Sequence, residues 1–122
     1  MAELSVEDLL EVARRTVGTG VQVRDMGLLS AALARVEARA LGREVYPTVE
    51  EQAAALLHSL ATSEPLTCGN GPFAWVATAV YLARRGRPST LTDGQAVDLV
   101  TDVVTGRLDA VPAIAERLVA DA

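Results

Sequence analysis

The sequence predicts an all-α fold, a bundle of about six helices with a short flap or hairpin between the second and third. Two observations carry the prediction. Apolar residues step by three and four along nearly the whole chain, which is the helical period. The apolar half of the composition is mainly Ala, Leu and Val, with one Phe, one Trp and two Tyr. That mixture suits close helix packing better than a sandwich, where aromatic and β-branched residues dominate. A chain of 122 residues is long enough for one core and too short for two ordinary domains, so a single domain over 1–122 is expected.

Each element follows from its caps and its inner face. Ser5 caps a first helix with Val6, Leu9, Leu10, Ala13 and Val17 inside, and Gly18 and Gly20 stop it. Asp25 caps a second helix carrying Leu28, Leu29, Ala32 and Val36. From Leu41 to Pro47 the helical pattern fails, and Val45 and Tyr46 between Gly42 and Pro47 favour a short extended or hairpin segment. Thr48 and Glu51 read as a capping box opening a third helix, with Val49, Ala53, Leu56, Leu57 and Leu60, that ends near Ser63. Pro72 sits where a first helical residue is welcome to be proline. The fourth helix runs from there through Trp75, Val76, Ala79, Val80 and Leu82 towards Arg85. It is apolar on most sides, which predicts the central, buried helix. Thr92 and Gln95 repeat the capping box for a fifth helix with Val97, Leu99, Val100, Val103 and Val104. After Gly106 a last helix holds Ile114, Leu118 and Val119.

Charge and composition exclude several functions. A formal charge of −5 argues against a general attraction to nucleic acid. Arg35, Arg39 and Arg43 recur every fourth residue, which reads as a solvated helix face. Cys68 is the only cysteine, so an internal disulfide is impossible and a reducing compartment is the default. The N-terminal run MAELSVEDLLEVARR lacks the basic start and apolar core of a signal peptide. No apolar stretch approaches the roughly 20 residues of a membrane span. A cytoplasmic protein with neither membrane nor nucleic-acid partners is expected.

The segment Glu64-Pro-Leu-Thr-Cys-Gly-Asn-Gly-Pro72 carries the functional signal. Gly69 and Gly71 flank Asn70, so the backbone can take left-handed conformations and aim successive N–H groups into one concavity. The positive end of the next helix points at the same place. The chemistry so described is an anion site, for phosphate or the phosphates of a nucleotide, formed by Gly69, Asn70 and Gly71. A tight interhelical turn would need the same flexible residues.

Three runs, Gly27 to Arg35, Tyr46 to Leu60 and the loop itself, together with Ala83-Arg-Arg-Gly86 and the final helices, resemble the Fic/Doc family. The likeness is greatest to the Doc (death-on-curing) toxins of toxin–antitoxin pairs and covers nearly everything after about Asp25. It implies a helical bundle with a flap beside the site. It also implies an antitoxin segment that folds into a groove. The implied reaction is transfer of a phosphoryl or nucleotidyl group from a nucleoside triphosphate to a protein hydroxyl. In the Doc subgroup the implied target is a translation factor, elongation factor Tu.

The family motif reads His-Pro-Phe-x-Asp-Gly-Asn-Lys/Gly-Arg, and this loop matches it at Pro65, Gly69, Asn70 and Gly71. Elsewhere it departs. Glu64 replaces the histidine that serves as general base, Leu66 the Phe, Cys68 the acidic Mg²⁺ ligand and Pro72 the arginine that grips phosphates. A carboxylate with an ordinary pKa of about 4.3 is a weaker base than imidazole. A thiol is a poor partner for a hard cation, so no metal ligand is assigned. Proline brings neither charge nor N–H. Loss of a base alone costs ~10²–10⁴-fold, and the other losses add to it. The expected protein is therefore a Doc-like pseudoenzyme acting by nucleotide, phosphate or partner binding. Two alternatives stand beside it: a rewired transferase with Glu64 as base, and a pure interaction domain.

The remaining candidates read as structural. His58, the only histidine, is expected to make a packing or hydrogen-bonding contact on the third helix. Cys68 lies beside a helix N-terminus but has no base partner nearby in sequence. Trp75 is expected in the core, and one of Arg35, Arg39 and Arg43 is a candidate to supply the missing phosphate charge.

Overall fold

The structure is a computed structural model that describes residues 4–119. Residues 1–3, where the N-terminal run begins, and residues 120–122 of the expected domain lie outside the described residues. Among the described residues the helices are α1 (Val6–Thr16), α2 (Met26–Val36), α3 (Val49–Ser63), α4 (Asn70–Arg84), α5 (Asp93–Val104) and α6 (Val111–Leu118). Between α2 and α3, β1 (Arg39–Ala40) and β2 (Arg43–Glu44) pair antiparallel, Arg39 opposite Glu44 and Ala40 opposite Arg43. Leu41 and Gly42 turn the hairpin with φ of 53° and 77°, the two left-handed residues that a tight two-residue turn demands. The mostly helical bundle with one hairpin agrees with the sequence. No helix among the described residues is long and apolar enough to cross a membrane.

The caps hold most helix starts where the sequence puts them. Ser5 and Asp8 bond reciprocally, the Ser5 hydroxyl accepting the Asp8 N–H at 3.1 Å and the carboxylate accepting the Ser5 N–H at 3.0 Å. The Ser5 N–H and then the Arg84 guanidinium, 2.9 Å away on α4, hold the Asp8 carboxyl below the ordinary carboxylate range. Thr92 and Gln95 form the second complete box. At Thr48 only half a box forms. Its hydroxyl accepts the Glu51 N–H but donates to the Glu51 carboxylate, so that carboxylate does not reach back to the cap backbone.

The central helix is α3, not the expected α4. Six consecutive residues, Gln52 to Leu57, are buried. Successive residues turn by about 100°, so such a run means cover on every side. Helices α2, α4, α5 and α6 provide that cover. The small Ala53, Ala54 and Ala55 let these neighbours approach. By contrast, α4 buries Phe73, Ala74, Ala77, Thr78, Tyr81 and Leu82, a one-sided stripe at helical spacing. Its remaining large apolar side chains, Trp75, Val76 and Val80, are only partly buried. Apolarity all round α4 was therefore a misleading sign, because part of that surface lines an open groove.

Two polar clusters fasten the hairpin to the bundle. Buried Gln52 donates to the Tyr46 carbonyl at 2.9 Å and the Glu44 carboxylate at 3.2 Å. Its carbonyl accepts from Tyr81 Oη at 2.7 Å and Arg85 Nη1 at 2.6 Å, which satisfies the buried amide. Arg35 donates to Tyr46 Oη at 3.0 Å, His58 Nδ1 at 2.9 Å and Ser59 Oγ at 3.0 Å. A guanidinium only donates, so Nδ1 accepts and the imidazole proton sits on Nε2, facing the Asp109 carboxylate at 2.9 Å. His58 thus makes the hydrogen-bonding contact expected of it.

These anchors revise one expectation. The row of arginines is not one helix face, because α2 ends at Val36 and leaves Arg39 and Arg43 on the hairpin strands. The hairpin base is tied to Gln52 in the first turn of α3, whereas the glycine loop follows Ser63. The hairpin is also tied, through Tyr46 and Arg35, to His58 and Ser59 in the second half of α3.

Replacing Arg35 with Ala leaves three part-buried polar groups without their donor. A stability loss of about 2 kcal/mol is expected in urea unfolding, with Arg35→Lys recovering only part because one ammonium cannot reach three acceptors.

Candidate phosphate-binding loop

The loop begins where α3 stops, at Glu64, whose φ of 54° and ψ of 63° are left-handed. Such a helix end normally takes Gly or Asn. Arg24, which precedes the α2 cap residue Asp25, reaches across to this helix end. Its Nη2 donates to the Ser63 carbonyl at 2.7 Å and its Nε to the Glu64 carbonyl at 2.8 Å. A cation on the last carbonyls of a helix is favoured by the helix dipole and satisfies acceptors that the helix leaves open. The Pro65 carbonyl accepts the Arg24 N–H at 2.7 Å, Val23 pairs antiparallel with Leu66, and the Thr67 N–H donates to the Gln22 carbonyl at 3.1 Å. The connection between α1 and α2 therefore runs as an extended edge along the loop.

The far half of the loop is closed by Asn70 and Gly69. The Asn70 carboxamide accepts the Leu66 N–H at 2.9 Å and donates to the Leu66 carbonyl at 3.0 Å. Both ends of that side chain are committed, so Asn70 offers a ligand its backbone N–H. Gly69 caps α4 at φ 75°, and a Cβ there would lie 2.6 Å from Val17 Cγ2. Glycine is demanded twice, by conformation and by the approach of α1. Gly71 does not share this role. Its φ is not positive, and a Cβ would meet Val100 at an ordinary 3.6 Å.

Helix α4 starts at Asn70, two residues before the expected Pro72, which occupies the third helical position. The first helical turn needs no intrahelical N–H bonds, so proline is tolerated there too. The N–H groups of Cys68, Gly69, Asn70 and Gly71 take no acceptor among the described residues. Four donors thus stand at the positive end of α4, the arrangement that holds an anion.

The side chains around these donors supply little chemistry. Glu64 and Cys68 are exposed, and the Glu64 carboxylate makes no hydrogen bond or ion pair among the described residues. Arg35 is committed to Tyr46, His58 and Ser59, and Arg39 donates to the hairpin's own Gly42 carbonyl. The cation that touches the loop is Arg24, which no local pattern in the sequence singles out. Among the described residues no three His, Cys, Asp or Glu side chains come together as a metal site. A thiol at position 68 with one carboxylate at 64 does not fit Mg²⁺, which wants several oxygen ligands.

Beside the loop, α4 and α5 leave an apolar groove of about 410 Å³. Gly71, Pro72, Trp75 and Val76 form one wall, and Asp93, Ala96, Val97, Val100 and Thr101 the other. Trp75, expected in the core, is part-buried and lines this groove; Phe73 is the fully buried aromatic. Gly71 and Pro72 belong to loop and groove alike.

Gly69→Ala is expected to cost about 1–3 kcal/mol, from the left-handed φ and the Val17 contact. Gly71→Ala is expected to stabilise by about 0.5 kcal/mol, since it replaces glycine within a helix. Thermal or urea unfolding of the two variants checks both.

A family model described as the Fic/DOC family matches residues 3–82. Toxin Doc of Mycolicibacterium smegmatis (strain ATCC 700084 / mc(2)155) is 38% identical over 108 residues, 87% of this chain and 83% of that protein. The family match begins before α1, which the resemblance read from about Asp25 had left out, and it stops before α5.

Proposed function

The chain belongs to the Fic/DOC family, and we propose that it is a single-domain, Doc-like member that works by binding, its transfer chemistry impaired. One observation carries this reading. The loop keeps the backbone of a phosphate cradle, with four free N–H donors, while Glu64, Cys68 and Pro72 stand at the motif positions for base, acid and arginine. Nucleotidyl or phosphoryl transfer rests on positioning and charge stabilisation, and two sources of positive charge are gone. Backbone donors alone still hold phosphate, so the nest takes a nucleoside triphosphate weakly. The groove between α4 and α5 takes an apolar antitoxin-like segment. Its exposed Val97 and part-buried Trp75 suit the apolar face of a helix that folds on binding. The protein acts in the cytoplasm, where its exposed thiol stays reduced.

A second reading has one observation in its favour. Glu64 is held, unpaired, in a conformation that costs free energy, and such strain gathers at working residues. A transferase with Glu64 as base would modify a protein hydroxyl on a translation factor or other target.

Incubation with γ-labelled and α-labelled ATP, GTP, CTP and UTP, Mg²⁺ and purified elongation factor Tu separates these readings, run beside thermal unfolding with each nucleotide. Binding without transfer gives a raised midpoint in wild type, no rise in Gly69→Val, and no label on the factor. Label on the factor that vanishes in Glu64→Ala establishes the transferase instead. No midpoint shift with any nucleotide contradicts the nucleotide nest and leaves a pure interaction domain.

A further inference from the structure

Among the described residues, Arg24 is the one side chain that reaches from another element to the carbonyls at the start of the loop. It is separated from Glu64 by 40 residues in sequence. Its own place is fixed from both sides. Behind it, Asp25 caps α2 by accepting the Gly27 N–H at 2.8 Å, and its own N–H is bonded to the Pro65 carbonyl. From that fixed origin the guanidinium spans two consecutive carbonyls, Ser63 and Glu64, on either side of the residue that turns left-handed. A fork with rigid donor spacing fits this pair of acceptors, and an ammonium on a flexible stem matches it less closely. A glutamate at φ 54° would relax to a right-handed or extended conformation if nothing held it.

We propose that Arg24 is a positioning residue: by bridging the Ser63 and Glu64 carbonyls it holds Glu64 left-handed and fixes how that carboxylate is presented at the loop. The proposal deepens the reading of this loop as the functional site and rests on it for its consequence. The clamp itself needs no ligand, so it can be tested even if nucleotide binding fails. Through it, the start of α2 and the carboxylate at the motif's base position move as one unit.

The test is a double-mutant cycle with a conformational readout. Arg24→Ala, Glu64→Gly and the double variant are compared with wild type by urea unfolding, and Glu64 backbone chemical shifts are read by NMR. If Arg24 restrains a strained residue, its loss lowers the folding constant roughly tenfold beside Glu64. The loss is at least threefold larger beside glycine, because the freed Glu64 recovers its left-handed strain on relaxing and glycine has none to recover. Glu64 shifts in Arg24→Ala then leave left-handed values, and Arg24→Lys recovers them only in part. An equal penalty in both backgrounds, with Glu64 shifts unchanged, overturns the proposal and leaves Arg24 as an ordinary helix cap. Should Arg24→Ala fail to fold, the Arg24→Lys comparison in the two backgrounds decides on the same criteria.

Discussion

The fold depends on the burial of α3 from all directions. A helix covered by four neighbours has room only for small or close-fitting side chains, which the run Ala53-Ala54-Ala55-Leu56-Leu57 supplies. The same constraint governs its polar residues. Gln52 is buried and uses its donors and acceptor in four hydrogen bonds, because an unpaired amide there would be costly. His58 lies part-buried with one ring nitrogen accepting and the other donating. Both clusters reach outward to Tyr46, so the satisfaction of polar groups on α3 also fixes the hairpin.

The loop at the end of α3 is held by a different set of forces, none of which uses the side chains that family chemistry needs. Arg24 grips its first carbonyls, residues 22–24 run along its edge, Asn70 closes it on Leu66, and Val17 fills the space over Gly69. Its shape is thus fixed by packing and backbone pairing. Substitution at positions 64, 68 and 72 can remove base, acid and cation while the cradle keeps its form. That separation gives a family member a route to losing turnover while retaining a binding loop.

Much of this was legible in the sequence wherever the cause was local. Ser5 with Asp8, Asp25 and Thr92 with Gln95 mark helix starts because capping bonds span two or three residues. The break at Leu41 to Pro47 and the glycine loop follow from backbone preferences of single residues. What escaped has long-range causes. Arg24 meets Glu64 across 40 residues, and no periodicity signals that contact. Gly69 and Gly71 look equivalent in sequence, yet only Gly69 faces Val17. The i, i+4 spacing of the arginines suggested a helix face, but the hairpin interrupts it. Which of two apolar helices is central depends on how many neighbours cover each, and composition does not record that. The departures at Glu64, Cys68 and Pro72 became informative through family resemblance, because nothing local requires a histidine, an acid or an arginine there.

The proposed function requires that the backbone donors from Cys68 to Gly71 bind phosphate without the motif's charged side chains. Titration of ¹⁵N-labelled protein with a nucleoside triphosphate, followed by amide chemical shifts, tests it directly. Phosphate held by these donors produces saturable shifts largest at Cys68, Gly69, Asn70 and Gly71, with the hairpin amides of residues 39–44 unmoved. Shifts absent from those four amides, or centred on the hairpin arginines, would contradict it.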